Sequence, residues 1–231
     1  PIGSRGLGDV YKRQDIMFKF DKLVFGDLGW GDEFLFATLM TVTVSILSMG
    51  LGLCLAIITV WAKLITNRIT RFIATFYTTV VRGVPELLVI YLIFFGGNSV
   101  LMSVAKLFGY NGYIELNALT IGTIAIAFIS ATYSSEVIRA AYLAVNKGQV
   151  EAAKALGLSR IQIFLRVMGP QIIRHALPGI GNVWQITLKD TSLISVTGLV
   201  EIMRQTRIAS NVEHSPPVSY THLRAHETLL D

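Results

Sequence analysis

Hydrophobic positions along this chain form long runs, and most of the polar and basic residues fall between them. A helix that crosses a bilayer needs roughly 20 mostly apolar residues, because each residue adds only about 1.5 Å of length. Three runs meet this requirement, at about 34–61, 72–95 and 119–141. Arg82, Pro85 and Glu86 interrupt the second run. The pattern therefore predicts an all-α bundle of membrane-spanning helices.

The composition supports the same class. Of the 231 residues, 52% are hydrophobic and 15% are charged, and the mean hydropathy is +0.57. A soluble domain of this length is usually about a quarter charged, so an integral membrane protein is the leading class. The net charge of +5 then reflects Lys and Arg on cytoplasmic loops and not nucleic-acid binding. The single cysteine, Cys54, lies within an apolar run and implies neither a disulfide nor a metal cluster.

The basic residues are distributed unevenly among the loops. Lys63, Arg68 and Arg71 fall between the first two runs, and a further series of Lys and Arg follows the third run. Acidic residues instead predominate just before the first run. By the positive-inside rule, the amino terminus lies outside and the segment around Glu151 lies in the cytoplasm.

After the third run comes a polar stretch, residues 148–170, that carries two helix signals. Residues 151–156 favour helix, and Gly157 follows where that helix would end. Ser159 then caps a second short helix, predicted over 160–168 and ending at the next Gly-Pro pair. Two short helices joined by a glycine turn at a membrane surface suit docking into a groove on another protein.

This stretch resembles the EAA loop of the membrane permease subunits of bacterial ABC importers, and we call residues 148–170 the EAA loop. The family pattern ends in Ile-x-Leu-Pro, whereas this chain has Val167-Met168-Gly169-Pro170, with Gly in place of Leu. The resemblance implies that an ATPase grips the loop from the cytoplasm. The implied ATPase-coupling residues are Glu151, Ala152, Ala153 and Gly157.

Two other segments carry the same resemblance. Residues 77–86, which include Arg82-Gly83-Val84-Pro85, look like the Arg-Gly-x-Pro signature of polar amino-acid permeases. Residues 176–185 resemble the segment that follows the EAA loop, so a fourth helix is expected at 176–200 despite its polar residues. The likeness is greatest to the Q-type subunits of importers for histidine, lysine, arginine and ornithine, and of the octopine and nopaline systems.

The resemblance implies a polytopic helix bundle of the ABC importer permease type, with five core helices, in the bacterial inner membrane. Such a subunit translocates polar, and in this subgroup basic, amino acids. Its implied partners are an ABC ATPase dimer, a second permease subunit that is homologous or identical, a periplasmic amino-acid-binding protein and the lipid bilayer. ATP and Mg would be bound by the ATPase, so no cofactor, metal or nucleic acid is expected on this chain.

Both ends of the chain look foreign to such a permease. Residues 1–16 and 213–231 are polar and resemble translated adapter sequence, which leaves 17–212 as the expected permease domain. The chain enters the second of these segments where the fifth core helix should follow. The sequence is therefore interpreted as a fragment that lacks its last helix.

Two other functional classes compete with the permease. The chain contains no Gly-x-x-x-x-Gly-Lys-Ser/Thr, so it does not hydrolyse ATP itself, and it contains no His-Glu-x-x-His or Gly-x-Ser-x-Gly. An intramembrane enzyme is disfavoured because no catalytic constellation is visible. A stand-alone secondary carrier or channel for small polar solutes remains the alternative.

Ionisable residues inside membrane helices are costly and by default suggest function. The candidates for the substrate pathway are Arg82, Glu86, Glu136 and Asp190. Each also has a structural interpretation, since Arg82 and Glu86 are spaced for an i, i+4 pair and Glu136 and Arg139 for an i, i+3 pair. Glu86 is the preferred partner for a cationic substrate, because it lies inside the second helix beside Pro85.

Overall fold

The computed structural model describes residues 25–26, 29–109 and 117–212. The segments predicted to be foreign, 1–16 and 213–231, lie outside the described residues. Within those ranges the regular structure is entirely helical and contains no strand, which confirms the predicted fold class. The chain divides into a larger unit, Val42–Gly198, and a smaller one made of the residues up to Thr41 and from Leu199 onward.

The helices are α1 (Gly31–Leu64), α2 (Arg68–Gly83), α3 (Glu86–Leu107), α4 (Ala118–Ala144), α5 (Lys147–Ala155), α6 (Arg160–Ile163), α7 (Gly169–Asp190) and α8 (Ile202–Val212). A π-helical turn, Phe164–Met168, joins α6 to α7, and a 3-10 helix, Thr191–Thr197, follows α7. Within the described residues, α1 and α4 are long and apolar enough to cross a membrane. The pair formed by α2 and Glu86–Gly97 meets the same criterion only when taken as one bent span.

Three helices of the larger unit begin at an asparagine. The side chains of Asn67, Asn117 and Asn146 accept hydrogen bonds from Ile69, Leu119 and Gly148 N–H groups at the starts of α2, α4 and α5. These bonds satisfy backbone donors that have no partner within the first turn of a helix. The caps therefore fix the residue at which each of these helices begins.

The predicted second helix, 72–95, is instead two helices. The axes of α2 and α3 differ by 112° across a short break. Val84 has extended backbone angles, φ −105° and ψ 142°, as a residue before proline prefers. Pro85 then begins the new direction, because its ring excludes a continuous helix at this point. The sequence shows only that Pro85 interrupts the apolar run, whereas the chain turns through 112° at this point.

The predicted fourth helix, 176–200, is displaced along the chain. It is α7, which begins at Gly169 and ends at Asp190. The predicted helix end at Gly169-Pro170 is wrong, because the helix continues through a π-helical turn, in which the Gly169 N–H group donates to the Phe164 carbonyl, and Pro170 lies in the first turn of α7 after it. The chain thus runs without a break from α6 through the π-helical turn into α7.

Helix α4 forms the centre of the larger unit and is buried along most of its length. Gly52 of α1 packs so closely on α4 that an added Cβ would lie 2.2 Å from Ser130 Oγ. Gly179 of α7 approaches α4 in the same way, with Val137 2.6 Å from a Cβ placed there. The Ser48 hydroxyl also donates to the Thr123 carbonyl at 3.1 Å. Small residues thus permit close helix packing, as is typical of membrane bundles.

In the smaller unit, a buried carboxylate starts α8. Glu201 is 1% exposed, and its oxygens accept hydrogen bonds from the N–H groups of Met203 and Arg204 at 2.9 and 2.8 Å. Burial raises the pKa of the Glu201 carboxyl, while these N–H groups and Arg207 act in the opposite direction. The Ile202 N–H group donates to Thr41 Oγ1 at 3.2 Å. Glu201 is therefore a capping residue, which the sequence pattern did not indicate.

Candidate functional site

The EAA loop has the helix–turn–helix form that the sequence predicts. Gly157 follows α5 and has φ +76°, a backbone conformation in which a Cβ is strained. Ser159 then starts α6 with a capping box, in which its N–H group donates to Gln162 Oε1 at 2.9 Å. The turn therefore depends on Gly157, and the direction of α6 on Ser159.

The predicted coupling residues of this loop differ in exposure. Glu151 and Ala152 are exposed, whereas Ala153 is buried and Gly157 lies exposed at the turn. Large apolar side chains on and beside the turn are exposed as well: Leu156 (81%), Ile161 (72%), Phe164 (51%) and Leu165 (64%). A cluster of exposed apolar side chains is typical of a surface that another protein or the membrane covers.

Two carboxyl groups meet where α3 begins and α7 ends. Tyr133 of α4 donates a hydrogen bond from its hydroxyl to Glu86 Oε1 at 3.0 Å. Asp190 is buried, and its carboxyl group interacts electrostatically with that of Glu86. We call Glu86 and Asp190 the acidic pair. Two carboxylates close to each other repel, and either a proton shared between them or a cation beside both removes that repulsion.

Arg82 lies at the end of α2 and does not form the predicted pair with Glu86. An i, i+4 pair requires one continuous helix, and the corner at Pro85 sends the two side chains onto different helices. Within the described residues, no carboxylate lies within 4 Å of the Arg82 guanidinium. The guanidinium instead lies over the Tyr133 ring, 5.4 Å from its centroid. Arg82 is exposed and is free to meet an anionic group.

Glu136 has two basic partners. Arg139 Nε lies 3.1 Å from Glu136 Oε2, which confirms the predicted i, i+3 pair. Lys63 Nζ donates to the other oxygen, Glu136 Oε1, and also to Thr78 Oγ1 at 2.7 Å. The sequence does not reveal this bond, because the first apolar run ends near residue 61 and leaves Lys63 in a predicted loop. Helix α1 continues to Leu64, which carries this lysine into the bundle.

A polar cavity of about 500 Å³ lies open between α2 and α4. It is lined by Thr75, Thr78, Thr79, Arg82, Gly83, Tyr133 and Glu136. Tyr133 connects this cavity to the acidic pair, since its ring lies under Arg82 and its hydroxyl bonds Glu86. Of the predicted pathway residues, the structure therefore brings Glu86 and Asp190 together, and places Arg82 and Glu136 at the cavity wall.

Residues 48–220 match the family described as the binding-protein-dependent transport system inner membrane component. The nopaline transport system permease protein NocQ of Agrobacterium fabrum is 50% identical over 86% of this chain and 84% of its own length. The octopine transport system permease protein OccQ of Rhizobium radiobacter is 44% identical over 83% and 81%. The histidine/lysine/arginine/ornithine transport system permease protein HisQ of Escherichia coli is 39% identical over 81% and 82%.

A solved structure has the same fold. It is described as the crystal structure of an amino acid ABC transporter with histidines, and it matches with a TM-score of 0.72 and 28% identity. The match covers 87% of this chain and 88% of that one. This chain therefore belongs to the binding-protein-dependent transport system inner membrane component family, and within it to the permeases of polar amino-acid ABC importers.

Proposed function

We propose that this permease carries basic amino acids across the bacterial inner membrane and that a separate ATPase drives it. The acidic pair is the observation that most supports a basic substrate. Glu86 and Asp190 place two carboxyl groups side by side between helices. Burying them without compensation is expensive in a membrane, and the cationic side chain of a substrate provides that compensation.

The surroundings of the acidic pair suit an amino acid of this kind. Arg82 is exposed at the cavity next to Tyr133 and supplies a cation for the α-carboxylate of the substrate. The threonine hydroxyls of the cavity wall offer further hydrogen bonds. The similar HisQ protein is named for histidine, lysine, arginine and ornithine. We therefore assign the acidic pair to the cationic end of the substrate and Arg82 to its carboxylate.

The EAA loop is proposed as the docking site for an ABC ATPase dimer that binds ATP and Mg. Its exposed apolar side chains suit a groove on that partner, and the excess of basic residues around it favours a cytoplasmic position. Glu151, Ala152, Ala153 and Gly157 would transmit the closure of the dimer to α7, which continues directly from the loop. A periplasmic binding protein would deliver substrate to the outer face, and a second permease subunit would complete the pathway.

Reconstitution in proteoliposomes tests this function. The permease is assembled with an ABC ATPase, a second permease subunit and a periplasmic amino-acid-binding protein, and uptake of labelled arginine is measured. We expect uptake to require ATP on the side of the membrane where the ATPase is bound. Unlabelled lysine and ornithine should compete with arginine, whereas leucine and glutamate should not. Equal uptake by the permease without the ATPase would instead indicate a stand-alone carrier or channel.

A further inference from the structure

A second charge cluster lies at the other end of the cavity, and the proposed substrate site does not use it. Lys63 of α1 bonds both Thr78 of α2 and Glu136 of α4, and Arg139 bonds the same glutamate. Thr78 and Glu136 are themselves part of the cavity wall. Lys63 thus joins a third helix to the two helices that form the cavity.

The partners in this cluster are unequal in burial. The Lys63 side chain is 6% exposed, whereas Glu136 is 28% and Arg139 is 43% exposed. Among the described residues, Glu136 is the one carboxylate within 4 Å of Lys63, while Glu136 keeps Arg139 as a second partner. Loss of Glu136 therefore leaves a buried, uncompensated cation, but loss of Lys63 leaves Glu136 still paired.

We propose that Lys63 is a positioning residue for transport, and that Glu136 neutralises Lys63 and does not bind substrate. The ammonium group holds the cavity walls of α2 and α4 against α1 through Thr78 and Glu136. This assignment replaces the predicted role of Glu136 in the substrate pathway. It leaves the acidic pair as the carboxylates that are available to a substrate cation. The test of this assignment by arginine transport rests on the proposed function.

The two roles of Glu136 predict opposite results for a double variant. Glu136→Gln alone should lower the maximal rate of arginine uptake by about tenfold or more, because it strands the buried lysine. Adding Lys63→Met should raise the rate to that of Lys63→Met alone, because the stranded charge is then removed and only the positioning contacts are missing. If Glu136 instead binds the substrate cation, Lys63→Met/Glu136→Gln will transport as poorly as Glu136→Gln, since the carboxylate is still missing.

Uptake is measured with the complete reconstituted complex, and Lys106→Met serves as the control for removing an exposed lysine. The proposal also requires that Glu136→Gln changes the maximal rate with little change in KM, and that Lys63→Arg retains more activity than Lys63→Met. A raised KM for arginine that Lys63→Met does not correct would overturn it, and so would normal transport by Glu136→Gln.

Where a variant does not assemble, the yield of monodisperse complex is measured in place of uptake. Lys63→Met should recover the yield that Glu136→Gln loses, and no recovery counts against the proposal. Thermal unfolding of the purified complexes is also measured for the wild type, the two single variants and the double variant, and this measurement requires no transport. If the wild-type complex does not take up arginine, the proposed function fails, whereas the unfolding cycle still tests the pairing of Lys63 with Glu136.

Discussion

At the scale of single residues, the acidic pair is held at two helix ends with opposite electrostatics. Glu86 lies in the first turn of α3, where the partial positive charge of the helix favours a carboxylate. Asp190 is buried and is the last residue of α7, where the partial negative charge of the helix disfavours a carboxylate. Among the described residues, no basic side chain lies within 4 Å of either carboxyl group, which is the physical reason to expect a cation from the substrate.

The hydroxyl of Tyr133 should contribute to substrate affinity by orienting Glu86. Tyr133→Phe keeps the ring below Arg82 and removes the hydrogen bond to Glu86. We expect the Kd for arginine to rise by about tenfold, because a hydrogen bond to a charged group contributes about 1.5 kcal/mol or more. Equilibrium binding of labelled arginine to the purified complex measures this change.

Tyr91→Phe is the matched control, since the Tyr91 ring stacks on Phe95 at 5.9 Å and its hydroxyl bonds no residue of the acidic pair. Its Kd should equal that of the wild type. An unchanged Kd in Tyr133→Phe as well would remove Tyr133 from the substrate site.

The sequence identified the charged residues that are costly to bury in a membrane, but not all of their partners. Arg82, Glu86, Glu136 and Asp190 stand out because charges inside apolar runs are rare. The pairing of Glu136 with Arg139 followed from helical spacing alone. The contact between Glu86 and Asp190, by contrast, depends on how distant helices pack, and the bond from Lys63 depends on an extra turn of α1. No local pattern contains either fact.

At the scale of elements, the EAA loop is where the sequence predicted most. Ala, Glu and Lys favour helix α5, a glycine turn follows it, and a serine starts α6, so each local signal agrees with the structure. Pro170 is the exception, because the sequence predicts a helix end there and the structure has it in the first turn of α7. Proline suits either place, and only the π-helical turn before it decides between them.

The turn at Gly157 should be essential for coupling. Gly157→Val places a β-branched side chain at φ +76° and should cost about 1–2 kcal/mol or more, which would shift α6. We expect substrate-stimulated ATP hydrolysis and uptake to fall together in the purified complex. Gly157→Asn is the control, because asparagine tolerates this conformation, and it should remain close to wild type. Normal transport by Gly157→Val would exclude the coupling role.

The exposed apolar side chains of the EAA loop should bind the ATPase. Ile161→Asp places a charge on a side chain that is 72% exposed, so it should disturb docking more than folding. Co-purification of the tagged permease with the ATPase measures the effect, and we expect the ATPase to be lost. Leu107→Asp, at an 85% exposed position at the end of α3, should retain it. Equal retention by both variants would place the ATPase elsewhere.

At the scale of the whole molecule, the charge distribution makes a prediction about orientation. We expect the EAA loop in the cytoplasm and the carboxyl end of α3 on the outer side. Single cysteines at Lys154 and Lys106, introduced after Cys54→Ala, report on these positions through a membrane-impermeant thiol reagent. Lys106→Cys should react in intact spheroplasts and Lys154→Cys only in inside-out vesicles. The reverse pattern would invert the topology.

The helical class and the approximate positions of three spans followed from hydropathy, since burial in lipid imposes long apolar runs. The fourth helix did not, because its polar residues lower the hydropathy of α7, and the resemblance to the permease family supplied it. The corner between α2 and α3 was only partly foreseen. Pro85 indicates that the helix is disturbed, but the 112° angle depends also on how α2 and α3 pack against α4, which no local pattern predicts.

The central claim is that the acidic pair binds the cationic end of a basic amino acid. Arginine and citrulline have nearly the same shape but differ in side-chain charge, so the ratio of their Kd values isolates that interaction. The ratio is measured with the purified permease complex in the absence of the binding protein, for the wild type, Glu86→Gln and the exposed control Glu33→Gln. We predict that the wild type and the control bind arginine at least about tenfold more tightly than citrulline, and that Glu86→Gln binds the two nearly equally. An unchanged preference for arginine in Glu86→Gln and in Asp190→Asn would contradict the account.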